Sequence, residues 1–414
     1  MELMNQPFTG QLGSRLIELL DSKEFHTLNI IVAFAKNSGV LRIKDSLETF
    51  RKQGGVVNIY VGVDLGGTSY EALTTLLLHT DSLNVVHSEK KQTFHSKIYQ
   101  FLGENKGLLI VGSHNLTGGG LWTNFESSIH IPTERTNENE MKILSEFNDY
   151  VENLTLLDNS FMPITSQDDI EILLQNDYIF KEVAEQVRLA TTIKQERTLA
   201  RLFGKGATIQ LPRVTISKVP LAAEEATSII DTHQESTSIH QLQKNDGQTI
   251  WFETGKMTGG SRNILDLSKR SLIEHGDPIG TSFYLGNNQF IRGGVEFFGL
   301  EPTSTDQKKD ITINFEGVDY FSNTILYPVG NNPNGTWRLQ IKGISTSGTK
   351  ITDIFRAKGE TEYLVRKIIA FTKIQSDYFF MSVFAESELE KFKTASFILA
   401  RNGSTKNARQ LGLL

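Results

Sequence analysis

A chain of 414 residues is long enough for two ordinary domains or three small ones, and without a single cysteine it can form no disulfide, no thiolate zinc site and no thiol nucleophile. Hydrophobic residues at 38% and charged residues at 22% describe a globular protein, and no apolar run approaches the roughly 20 residues needed to span a bilayer. The net charge of −6 argues mildly against indiscriminate nucleic-acid binding, although such binding depends on local patches rather than on the total. The opening residues lack the basic-then-apolar pattern of a secretory signal, so a cytoplasmic protein is expected.

Residues 9–22 carry apolar side chains at helical spacing, and Leu28 to Phe34 follow as a nearly unbroken apolar run centred on Ile30, Ile31 and Val32, the pattern of a buried strand. Val40 to Gln53 reads as a second helix, Val56 to Val63 as a second strand, Tyr70 to His79 as a third helix and Leu83 to Val86 as a short strand. The intervening Asp64-Leu-Gly-Gly-Thr lacks the Gly-Lys-Ser/Thr ending of a nucleotide loop and reads as a strand-to-helix turn. Alternating helices and buried strands predict an α/β sandwich over residues 1–160.

Within this region three short motifs stand together. Phe94-His-Ser-Lys97 places His95 and Lys97 two apart, on one side of an extended chain. The strand Gly107 to Gly112 leads into Ser113-His-Asn115, again with two-residue spacing. Asn124 to Ile131 alternates, with Phe125, Ser127, Ile129 and Ile131 on one face and Glu126, Ser128 and His130 on the other. Alone, a His-x-Lys is ordinarily a solvated edge and a Gly-Ser-x-Asn ordinarily a turn. In this order and at this spacing they converge an imidazole, an ammonium, a hydroxyl, a carboxamide and a carboxylate on one point. Such a set suits phosphodiester cleavage. An imidazole, with an unperturbed pKa of about 6.5, can attack phosphorus or protonate a leaving group. Lys97 and Asn115 would hold nonbridging oxygens, Glu126 would orient the imidazole, and Ser113 would position the phosphate or the Lys–Asn pair. His114, between two motif residues, should point away and be structural. No metal and no cofactor is required.

His95-Ser-Lys97 followed by Gly112-Ser-His-Asn115 resembles the His-x-Lys and Gly-Ser-x-Asn signature of the phospholipase D superfamily, and the interval from Asn115 to Glu126 resembles that of its small nucleases. Where the superfamily often carries an Asp a few residues beyond the Lys, Leu102 stands here, with Glu104 nearby. That loss is common in the nuclease branch. The resemblance implies a site with two histidines, one a nucleophile and the other an acid. No second His-x-Lys occurs in the chain, so a homodimer joining two copies of His95 across a twofold axis is expected.

Residues 166–204 read as helical, opening on a Ser166-Gln-Asp-Asp cap, and residues 207–248 are rich in Thr, Ser, Gln and Glu, so 161–248 is taken as a helical segment and linker. From 249 to 414 short strand-like runs alternate with Gly, Asn and Pro clusters, with one helix expected at 360–372. This is a mainly β domain. Its polar loops offer Lys256, Ser261, Arg262 and Asn263, then Asn334, Trp337 and Arg338, then Arg401, Asn402 and Lys406 as candidate DNA contacts, since Arg and Asn suit base edges and Ser and Lys suit phosphates. Behind a phospholipase-D-like nuclease, this half resembles the B3-like DNA-binding pseudobarrel of metal-independent restriction endonucleases. The expected protein is therefore a sequence-specific, metal-independent endodeoxyribonuclease acting on double-stranded DNA, with a separately encoded helicase-like ATPase as an allowed further partner and no membrane association. Two rivals are a phospholipase D-type phosphatidyl hydrolase or transferase and a DNA-binding protein with an inactive nuclease fold.

Overall fold

The computed structural model describes residues 1–90, 92–134, 137–157, 159–194, 211–214, 249–257, 262–287, 289–328, 335–359 and 361–414. They divide into two compact units, the first built mainly on Met1–Gln186 and the second mainly on the chain after the linker.

In the first unit β1 (Glu2–Gln6), β2 (Thr27–Val32), β3 (Val56–Gly62), β4 (Ser82–Val86), β5 (Lys97–Leu102), β6 (Lys106–Gly112), β7 (Glu126–Glu134) and β8 (Phe161–Pro163) form one sheet in the order β1-β7-β6-β5-β2-β3-β4-β8. The β2–β3 and β3–β4 pairs are parallel, and the other pairings are antiparallel. Helices α1 (Leu12–Asp21), α2 (Asn37–Lys52) and α3 (Tyr70–His79) lay Leu16, Leu20, Ile43, Leu47, Leu73 and Leu76 against Ile30, Ile59, Val61 and Ile110 of the sheet. Gly13 of α1 lies under the buried Trp122, where a β-carbon would come 2.2 Å from the indole, so only glycine lets helix and ring meet. On the opposite face α4 (Glu138–Thr155) packs Phe147 on Ile31 and Leu109. The expected α/β sandwich is present, with helices on both faces of the sheet.

The boundary expected near residue 160 falls inside this unit. Strand β8 pairs with β4, Met162 opposite Val85, and α5 (Gln167–Gln175) adds Ile170 and Leu173 to the same core. The Ser166 cap forms as expected, as a capping box with Asp169. The expected long helix ends at Gln175, because Asp177 takes a left-handed φ of 60°, and α6 (Glu182–Lys194) begins anew.

β7 alternates as its sequence requires, but the polar row is the buried one. Ser128 and His130 face inward, with Ser128 Oγ 3.1 Å from both His114 Nε2 and His130 Nε2. The apolar row divides: Ile131 packs with Ile31, Leu109 and Phe147 beneath α4, whereas Ile129 faces out. Leu3, Ile129 and Val111 lie side by side across β1, β7 and β6 at 58%, 42% and 40% exposure, beside a stacked pair of exposed rings, Phe8 and Phe125.

In the second unit β9 (Thr249–Glu253), β10 (Ile264–Leu267), β11 (Arg270–His275), β12 (Phe290–Arg292), β13 (Lys308–Phe315), β14 (Val318–Leu326), β15 (Trp337–Gln340), β16 (Lys367–Gln375), β17 (Tyr378–Ala385), β18 (Ile398–Arg401) and β19 (Gln410–Leu413) join in the order β10-β15-β14-β13-β17-β16-β9-β19-β18-β11-β12. Its core is aromatic: Phe298 meets Phe371 at 5.4 Å and Phe379 at 5.0 Å between ring centroids, and Trp251 meets Phe392 at 5.7 Å. The mainly β character is as expected. The helix expected at 360–372 is not: α7 (Ile351–Gly359) lies earlier, α8 (Leu389–Ala395) later, and β16 occupies the end of the expected span, from Lys367 on. Ile368, Ile369, Ala370 and Phe371 are buried on both faces between β9 and β17, and such a run has no alternation to distinguish it from a helix.

One buried polar network ties α6 to α3. Glu182 Oε1 accepts from Asn37 N at 2.5 Å and from Ser69 Oγ at 2.8 Å, while Glu182 N donates to Glu71 Oε2 at 3.0 Å. Burial, and then the neighbouring Glu182 charge, push the Glu71 carboxyl up to about 7. A folded pKa above the unfolded value favours the native state fully below about pH 4.5, and that contribution is lost as pH rises through about 7. Melting temperatures should therefore fall between pH 5 and pH 8 by an amount reflecting on the order of 1–3 kcal/mol. Glu71→Gln should flatten that slope, as thermal melts across the pH range would show.

Candidate active site

Strand β5 is inserted between β2 and β6, with Val32 opposite Lys97 and Val111 opposite Ile98, so Lys97 emerges at the end of the sheet centre. Its side chain is buried and turned back on the motif. Nζ lies 2.7 Å from His95 Nδ1 and 2.8 Å from the His95 carbonyl oxygen. Burial lowers the pKa of Lys97, and the charge of Glu126 opposes that fall. His95 itself is exposed and meets the edge of the Phe34 ring at 5.9 Å.

The segment that carries His95 is held from two sides. Asp64, in the turn after β3, accepts from His87 Nδ1 at 2.9 Å through one oxygen and from Phe94 N at 3.0 Å through the other. Ser96 Oγ lies 2.6 Å from Tyr150 OH of α4. Neither Asp64 nor Tyr150 stands out in the sequence: Asp64 belongs to a turn that reads as a mere connection, and Tyr150 to an ordinary helix.

The other half of the site follows β6. Ser113 N donates to Ser127 O at 3.0 Å, and Ser113 Oγ donates to Glu126 Oε2, whose Oε1 accepts from Asn124 Nδ2 at 3.2 Å. Asn115 Oδ1 accepts from Phe34 N at 3.1 Å, which turns the amide so that its N–H2 end remains for another acceptor. Gly39 allows the start of α2 to lie on this loop, since a β-carbon there would come 2.7 Å from Thr117 Cα. Gln6, buried at the end of β1, donates to the carbonyls of Gly119, Gly120 and Asn124 and so fixes the turn between Asn115 and Glu126. His114 is buried, with Nδ1 2.8 Å from Gly120 O, and burial lowers its pKa. It is structural, as its position between the motif residues suggests.

The five motif residues thus form two bonded pairs, His95–Lys97 and Ser113–Glu126, coupled by the action of Glu126 on Lys97, with Asn115 joined through Phe34. Glu126 does not take the place expected for it against the imidazole: its two oxygens hold Ser113 and Asn124, and His95 Nδ1 meets Lys97 instead.

Of the candidate DNA contacts, Ser261 and Asn334 lie outside the described residues. Trp337 is corrected to a core residue. Its ring is fully buried against Tyr327 and its indole N–H donates to Pro302 O at 3.0 Å, so nothing remains to present to a groove. Asn263 Nδ2 donates to Ile341 O at 2.9 Å, and Asn402 bridges Ser268 N and Asp266 O at 2.9 and 2.7 Å. Arg401 is paired with Glu274 at 2.5 Å, and Arg262 lies 3.5 Å from Glu362. Arg338 lies 4.0 Å from Asp266, while Lys256 and Lys406 are exposed.

Neither a family model nor a curated protein sequence matches the chain. Among solved structures it is similar to Nuc, a phospholipase D family member from Salmonella typhimurium, at 17% identity and a TM-score of 0.31, over 40% of this chain and 97% of that one. It is similar to NucT from Helicobacter pylori at 15% identity and a TM-score of 0.27, over 36% of this chain and 94% of that one. It is similar also to phosphatidylserine synthase from Haemophilus influenzae at 10% identity and a TM-score of 0.33, over 47% of this chain and 46% of that one. Among the described residues no helix is long and apolar enough to cross a membrane.

The two acceptors of Asp64 give a direct test of how the His95 segment is set. An amide can accept with only one of its two polar atoms, so Asp64→Asn should release either His87 or Phe94. Were the site to hydrolyse an activated phosphodiester such as bis(p-nitrophenyl) phosphate, that turnover should fall on the order of 10- to 100-fold. The melting temperature should move by only a few degrees, since the pair is partly exposed.

Proposed function

We propose that this chain is a metal-independent, sequence-specific endodeoxyribonuclease of the phospholipase D superfamily, working in a restriction system as a homodimer. In this reading the N-terminal unit cuts and the C-terminal unit, B3-like in architecture, selects the site. The observation that carries it is the buried ammonium of Lys97 set 2.7 Å from the ring nitrogen of an exposed histidine, beside a carboxamide whose N–H2 end remains available. A nucleophile and two oxyanion donors are the parts that phosphoryl transfer needs.

The chemistry follows from the same geometry. A protonated Lys97 donating to Nδ1 keeps the ring proton on Nε2, the arrangement of a proton donor. Attack requires the opposite tautomer, with a lone pair on Nε2. An incoming phosphate supplies the change by drawing the ammonium to a nonbridging oxygen, which leaves Nδ1 free to carry the ring proton. His95 Nε2 then forms a bond to phosphorus as the P–O bond to the leaving strand breaks. His95 of the partner subunit gives its proton to that leaving oxygen. In the second half it takes a proton from water, the water oxygen bonds phosphorus, and the P–N bond breaks to restore His95. The partner subunit is required because each chain has one such histidine.

The inside-out strand β7 supports the same assembly. Leu3, Val111 and Ile129, with Phe8 and Phe125, make an exposed apolar strip at the margin of the Ser113–Glu126 pair, and single exposed side chains do not usually align this way. A second copy seated there is the partner that this reading calls for.

Cleavage of phage DNA should persist in EDTA, and strict dependence on magnesium would refute the mechanism. His95→Ala should lower the rate by on the order of a thousandfold or more while sparing DNA binding, and acid quench of the wild type should trap a phosphohistidine. Ile129→Asp should give a monomer in sedimentation and lose cleavage; a variant that remains dimeric would remove this face from the assembly.

A further inference from the structure

The second unit contains a cleft of about 470 Å³ that draws its walls from six places in the chain, among them Lys269 and Arg270 before and in β11, the ion-paired Arg292 and Glu301, Gly335 and Thr336 before β15, and Gly403 and Ser404 after β18. Two of the polar loops that the sequence marks therefore end at one place, although Trp337, Arg401 and Asn402 in them are spent on the fold. What faces the opening is different. The Lys269 ammonium stands 4.1 Å from the centre of the Tyr327 ring, and the Arg270 guanidinium stands 4.8 Å from that of Phe290, with its Nε donating to Ser404 Oγ at 3.0 Å. Aromatic faces fix both cations in direction without neutralising them. Among the described residues neither forms an ion pair with a carboxylate.

The neighbouring strand sharpens the point. Arg270 is directly opposite Arg292 in the β11–β12 pairing, a placement that repels unless something offsets it. Arg292 has its own counter-charges, Glu301 at 2.5 Å and Glu296 at 3.4 Å. Arg270 and Lys269 have only rings and a hydroxyl. Glu301 also lines the cleft, but its charge is taken up by Arg292, so two adjacent, oriented cations with no carboxylate partner of their own, the Ser404 hydroxyl and two glycine turns that let a ligand come close to the backbone make a receptor for a phosphodiester.

We infer that this cleft seats one backbone phosphate of duplex DNA, and that Lys269 and Arg270 are its ligands. The inference rests on the nuclease reading, and it assigns the affinity of the second unit to residues that no loop composition singled out. Contacts of this kind hold register without reading bases.

The test uses the full chain and a fluorescently labelled duplex, with anisotropy titrations at several salt concentrations. The variant carrying Lys269→Ala and Arg270→Ala should bind roughly 10- to 100-fold more weakly on any sequence, and its log–log salt dependence should be shallower by about two. Hydrolysis of bis(p-nitrophenyl) phosphate should be unchanged, which shows that the fold and the cutting site are intact. The exchanged pair Lys269→Arg with Arg270→Lys should recover most of the binding. Equal affinity and equal salt slope in the alanine variant would overturn the inference and leave the nuclease reading standing. A wild-type protein that binds no duplex would overturn both. Displacement of the duplex by inorganic phosphate at low millimolar concentration, with no greater effect from a competing duplex, would assign the cleft to a free anion and overturn the assignment to DNA.

Discussion

The candidate site depends on a short seam between the end of the central strand β2 and the loop after β6. Phe34 N donates to Asn115 Oδ1, Leu116 N donates to Phe34 O, and Lys36 N donates to Leu116 O. These bonds fix two directions together: they orient the amide of Asn115 and set the Phe34 ring against which His95 rests. β5 runs alongside β2, and Lys97 is thus delivered to the same point by the sheet itself. Side chains on three strands can act as one group because the backbone around them admits little freedom.

The lower tier of the site has a different character. Asp64, Tyr150 and Gln6 touch none of the reacting positions, yet each fixes a segment that carries one. Asp64 spends both carboxylate oxygens on the approach to His95, and Gln6 holds the turn that leads to Glu126. A 1 Å shift in such supports is enough to spoil an in-line displacement.

Much of this could be read before any coordinates. The two-residue spacings of His95 and Lys97, and of Ser113 and Asn115, locate the chemistry because strand geometry converts spacing into direction. Helices α1 to α3 and strands β2 to β4 follow from ordinary periodicity. What periodicity could not give was the identity of β16, since Ile368 to Phe371 are buried on both faces, or the division between α5 and α6, which turns on the left-handed Asp177. Nor could it tell that β7 buries its serine and histidine, because that depends on His114 arriving from another strand to satisfy them. The polar loops of the second unit misled for a related reason: Asn263, Asn402 and Arg401 look free in a sequence and are consumed by capping neighbouring backbone and carboxylates in the fold. Lys269 and Arg270 were invisible because what prepares them is a ring far away in the chain, Tyr327 for the first, and a partner strand for the second.

The outward turn of Ile129 and its neighbours has an effect on energetics as well as on geometry. Leu3, Val111 and Ile129 are apolar surface that the folded chain leaves in water, and covering them would contribute roughly 25 cal/mol for each Å² buried. In the proposed dimer the stability margin would be governed by mass action. Dilution would then loosen the edge of the sheet where Glu126 and Ser113 sit, and a scarce population of chains would be less sturdy than an abundant one.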